Sequence, residues 1–167
     1  MAKKRSKNKS SIKSQSLRSN SPDEVNYGFV FLAALIYAVI SMIVHSISAY
    51  GSMKYYLASA YLGIWSPLMM PSNGPPGVAF FSYSFLFAFI TGVLISFAYL
   101  MIRKSFTGSN TRKGLMYGFL LVLIAVIPGT LMMYLLFAVP NVLLIYWLFE
   151  SILIYMLGGI VIANLLR

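Results

Sequence analysis

Four long apolar runs, Tyr27–Ile47, Val78–Ile102, Gly114–Ala138 and Asn141–Leu166, contain almost no charge. At about 1.5 Å of rise per residue, each run as a helix is long enough to cross a hydrocarbon core of about 30 Å. The composition agrees: 59% of residues are apolar and 10% charged, against about 45–50% and 25% in ordinary soluble domains. The runs therefore predict an all-α integral membrane protein, with four transmembrane helices in an antiparallel bundle.

The distribution of charge predicts the orientation. Seven of the thirteen basic residues precede Asn20, four more (Arg103, Lys104, Arg112 and Lys113) lie between the second and third runs, and Arg167 closes the sequence. Only Lys54 follows the first run. Basic short segments stay in the cytoplasm, and alternating helices put all three basic segments on one side. A multi-pass protein with both termini cytoplasmic is expected. The first run, about 20 residues behind a long polar leader, reads as an uncleaved anchor, since a signal peptide has a core of about 7–15.

Residues 1–26 form a Ser-, Lys- and Asn-rich segment expected to be a disordered basic cytoplasmic tail. Residues 27–167 form a single four-helix membrane domain. The net charge of +10 does not point to nucleic acid, because the tail lacks aromatic rings for base stacking. Its expected partner is the lipid bilayer, with anionic lipid as an electrostatic target. The link Ser48–Gly77 carries Tyr50, Tyr55, Tyr56, Tyr61 and Trp65, rings that collect where lipid meets water. Helical spacing of Leu57, Tyr61, Ile64, Trp65 and Leu68 predicts a short interfacial helix ending at Ser66-Pro67. The "PSNGPPG" sequence then predicts a tight turn into the second run.

Within lipid, helices associate through small side chains that allow close approach. Ser84, Ala88, Gly92 and Ser96 form such a stripe on the second run. Gly159 and Ala163, with Gly158 beside them, form one on the fourth, and Ala125 and Gly129 one on the third. On the first run, Tyr37, Ser41 and His45 make a polar stripe at i, i+4 and i+8.

Glu150 is the only acidic residue after Glu24. It lies roughly 14 Å inside its run, near the bilayer midplane. A charge there costs about 2.5–3.5 kcal/mol, which the fifteen Leu, Ile, Val and Phe residues of the same run offset. No arginine or lysine lies at this depth in any run, so an intrachain salt bridge is not expected and Glu150 is expected to be neutral. Across the tight link at Val139-Pro140 it falls level with "IPGT". There Pro128 leaves the Ile124 carbonyl without a helical donor, Gly129 permits close approach, and the Thr130 hydroxyl can donate. Glu150, Thr130, Pro128 and Gly129 are thus a candidate intramembrane proton or hydrogen-bond site. His45 is expected to differ from Glu150 in depth by about 10 Å and not to meet it.

No HExxH motif, paired carboxylates, intramembrane lysine or cysteine is present, so neither catalysis nor a metal or cofactor is expected. The sequence favours an accessory, assembly or scaffold subunit of a membrane complex, with another membrane protein or a homo-oligomer as partner. The alternative is a small oligomeric channel or transporter that uses Glu150 as a proton or cation site.

Overall fold

The computed structural model describes residues 25–71 and 75–167. Most of the expected tail and the centre of the "PSNGPPG" turn lie outside the described residues. Every regular element among the described residues is helical: α1 (Tyr27–Tyr56), α2 (Val78–Ile102), α3 (Asn110–Leu121), α4 (Ile127–Leu136) and α5 (Asn141–Leu165). Four continuous helical stretches, Tyr27–Tyr56, Val78–Ser105, Asn110–Leu136 and Asn141–Leu165, are long and apolar enough to cross a membrane.

Local chemistry explains the starts. The Asn26 side chain accepts from the Gly28 amide at 3.0 Å and caps α1, and Ser109 caps α3 through the Arg112 amide. Pro140 supplies the extended residue from which α5 begins.

Three boundaries depart from the sequence expectation. The first helix does not stop near Ile47 but continues to Tyr56, through a stretch with no proline and a single glycine. The expected interfacial helix is a single 3-10 segment, Ser59–Ile64, held because Trp65 Nε1 donates to the Tyr56 carbonyl at 3.0 Å. The third run is not one regular helix. Between α3 and α4 the backbone widens into a π turn, Val122–Val126, in which the Ile127 amide donates to the Val122 carbonyl. Pro128, two residues on, has no amide to donate, and the wider turn absorbs the resulting mismatch.

The helices pack as a row, α2 on α1, α1 on α5 and α5 on α3. Glycines set the closest approaches. A Cβ at Gly92 would stand 2.8 Å from the Ala34 Cα, one at Gly114 would be 2.5 Å from the Gly159 carbonyl oxygen, and one at Gly118 would be 2.6 Å from that of Tyr155. The ring of Tyr37 occupies the space that a side chain at Gly158 would fill. Tyr117 closes the row by donating from its hydroxyl to the Ile95 carbonyl at 2.6 Å, with its ring 5.2 Å from that of Tyr99.

Most of the core, including Val30, Ala33, Tyr37, Ile95, Tyr99, Tyr117 and Ile162, lies in the half of the row nearest Arg103 and Arg167. This is the basic end. The opposite, aromatic end gathers Tyr56, Trp65 and Trp147, with ring centroids 5.2–6.4 Å apart.

Candidate functional site

The pairing of α1 with α5 assembles the site. Tyr37 lies at Gly158, with its ring 6.2 Å from that of Tyr155. Gly51 faces Tyr146, and the Tyr56 and Trp147 rings are 6.3 Å apart. Residue numbers thus fall along α5 as they rise along α1. That register places residue 45 opposite residue 150.

His45 Nδ1 contacts Glu150 Oε1. This overturns the expectation that the two residues differ in depth and stay apart. The error came from the length of α1. With the helix ending at Ile47, His45 would lie at its end. With the helix ending at Tyr56, His45 lies eleven residues inside it, about 16 Å, and Glu150 lies nine residues inside α5. Among the described residues no arginine or lysine pairs with Glu150; the group that reaches it is an imidazole, which is charged only when protonated.

The two members of the pair differ in environment. The Glu150 side chain is 5% exposed and that of His45 53%.

The pair belongs to a longer polar line. Tyr37, Ser41 and His45 continue along the same face of α1 as Ser48, Ser52 and Tyr56, at steps of three or four. Tyr37, Ser41 and Ser52 are buried. Ser52 Oγ donates to the Ser48 carbonyl at 2.7 Å, and Trp147 Nε1 donates to the Tyr56 hydroxyl at 2.6 Å. The sequence expectation assigned Ser48, Ser52 and Tyr56 to the link rather than to this line, because it ended the helix too early. The i, i+4 continuation was visible in the sequence.

The "IPGT" segment lies beside α5 but does not face Glu150. Gly129 and Thr130 line a groove of about 290 Å³ between α4 and α5, together with Trp147, Ser151 and Tyr155. Glu150 turns away from this groove to meet α1. The Thr130 hydroxyl donates to the Val126 carbonyl at 2.8 Å, Pro128 is exposed, and a Cβ at Gly129 would meet nothing within 4 Å. The expected stitch from Glu150 to this segment is therefore replaced by the contact with His45.

The small-residue stripes are divided in the same way. Gly92, Ser96, Gly159 and Ala163 are buried, whereas Ser84 and Ala88 are half-buried. Ala125 and Gly129 are exposed, and Gly114 and Gly118 make the close approach of the third run instead. Ser96 is wholly buried, and its hydroxyl has no hydrogen-bond partner among the described residues.

Comparison with protein-family models, with curated proteins and with solved structures finds no match to this chain.

Proposed function

We propose that this chain is a small multi-pass membrane protein that binds and passes protons at the His45–Glu150 pair, acting as a proton-conducting or proton-coupled transport subunit. The observation that carries this reading is the contact between a half-exposed imidazole and a buried carboxyl on two apolar helices, on a face lined by hydroxyls in both directions. Ionisable groups on such helices are costly and characteristically mark ion pathways. A lone carboxylate would be a poor relay, but a carboxyl–imidazole pair can hold one proton while remaining neutral overall. A proton arriving at the half-exposed imidazole is shared with Glu150, and one leaves towards the next hydroxyl.

In this reading the helices alternate in direction, the basic end is cytoplasmic, and the aromatic end lies at the opposite interface. The chain is not an enzyme, and its assembly is oligomeric, because so few polar groups cannot enclose a pathway alone.

The test is proton flux in proteoliposomes loaded with a pH-sensitive dye under an imposed potential. Wild type should collapse the pH gradient, and Glu150→Gln and His45→Ala should each slow that collapse at least about tenfold, the scale on which losing one essential proton carrier acts. Ser151→Ala, on the neighbouring groove, should leave flux unchanged. Flux in both pair variants equal to wild type would end the proposal.

A second reading, the accessory or assembly subunit, is supported by α4. None of its residues is buried, and Leu131, Met132, Leu135 and Leu136 are exposed. A partner helix from another membrane protein would cover this face. Comigration with a larger complex on a native gel, together with absent flux, would favour this reading.

A further inference from the structure

At the basic end, the start of α1 and the ends of α2 and α5 surround an open cavity of about 460 Å³. Its rim carries two guanidinium groups. Arg103 Nη1 donates to the main-chain oxygens of Leu166 (3.3 Å) and Arg167, and Arg167 Nε donates to the Asn164 carbonyl at 3.1 Å. These bonds fix both groups in place yet use a minority of the five N–H donors that each guanidinium carries. Asn26 adds a polar side chain at the same rim, and Phe29, Leu100 and Leu165 form an apolar wall. No acidic side chain lines the cavity among the described residues.

We infer that this cavity is a binding site for an anionic phospholipid, with the headgroup phosphate between Arg103 and Arg167 and the start of an acyl chain against Phe29 and Leu100. Planar guanidinium forks match phosphate oxygens in pairs, and basic pockets between helix ends hold lipid headgroups. The apolar wall and the volume suit a phosphate that carries glycerol and hydrocarbon better than a free anion. The sequence that precedes α1 carries charge of the same sign. Residues 1–24 contain seven basic and two acidic side chains (Asp23 and Glu24), a net of five positive charges. The inference rests on the membrane placement proposed above and is independent of the proton pathway.

The test is native mass spectrometry of the full chain released from nanodiscs containing phosphatidylcholine and phosphatidylglycerol. Wild type should retain one phosphatidylglycerol per chain in preference to phosphatidylcholine. Arg167→Gln should lower that preference about fivefold, on the scale of one basic residue at an anionic headgroup. Leu100→Trp, which narrows the apolar wall and leaves every charge in place, should lower it as well. Arg103→Gln should also reduce retention, and the other two variants keep the test decisive if Arg103→Gln fails to fold.

Retention unchanged in Leu100→Trp would assign the lipid to the basic tail and overturn the inference. So would equal retention of both lipids by wild type, or displacement of the bound lipid by inorganic phosphate. Carbonate-resistant partition into vesicles of either lipid tests the membrane placement separately.

Discussion

Gly159→Ala is expected to destabilise the bundle by about 1–2 kcal/mol, whereas Gly129→Ala should leave it unchanged or slightly more stable. At Gly159, a Cβ would stand 3.0 Å from the Gly118 nitrogen and 3.1 Å from its Cα, and closer still to the Gly114 carbonyl oxygen. All three are backbone atoms and cannot rotate aside, so α3 and α5 must separate by several tenths of an ångström. A gap of about 0.5–1 Å forfeits a quarter to a half of each contact along the helix pair, and overpacking of this kind costs about 1–3 kcal/mol. Alanine recovers at most about 1 kcal/mol of helix propensity over glycine. At Gly129 the same propensity gain meets open space, so nothing opposes it. The measurement is equilibrium unfolding in mixed micelles, followed by the fluorescence of Trp65 and Trp147, the two tryptophans of the chain. Equal stability of the two variants would refute the claim that the α3–α5 crossing is set by glycine contact.

Three further outcomes follow from the same geometry. His45→Ala should destabilise more than Glu150→Gln, by about 1 kcal/mol, because it strands a carboxyl that is 5% exposed rather than an imidazole that is half exposed; unfolding of the two variants in one detergent checks the order. Tyr117→Phe should cost about 1 kcal/mol by removing the buried bond to Ile95, and a loss below about 0.3 kcal/mol in the same assay would mean that α2 and α3 are held by packing alone. Pro128→Ala restores a donor for the Ile124 carbonyl and should let the π turn revert towards regular helix; spin labels on α4 and α5 should report a changed separation, and an unaltered one would remove proline as its cause.

The fold was legible in the sequence where one physical rule dominates. A helix is the only open-ended way to satisfy a backbone within hydrocarbon, so the length and apolarity of four runs were enough to predict four long helices. The proline in "IPGT" announced an irregularity, although nothing in the residue types indicated that a π turn would absorb it. The candidate site was half legible. Glu150 and the Tyr37–Ser41–His45 stripe were each evident as polar features in apolar surroundings, because a costly group stands out against a uniform background.

Their meeting was a matter of tertiary register. Whether His45 reaches Glu150 depends on where α1 ends and on which face of α5 turns towards it. Residue type at 45 and 150 determines neither. Glycine contacts fix the crossings: Gly158 admits the Tyr37 ring, and Gly114, Gly118 and Gly159 bring α3 against the opposite side of α5. With α5 held from both sides, Glu150 points to α1 and Ser151 to the groove beside Thr130. The pattern of residues alone implied that a carboxyl would be buried in an apolar helix. Only the packing decided that its partner would be an imidazole rather than the carbonyl exposed by Pro128, because short-range contact between helices sets rotation and register and leaves no periodic trace in the chain.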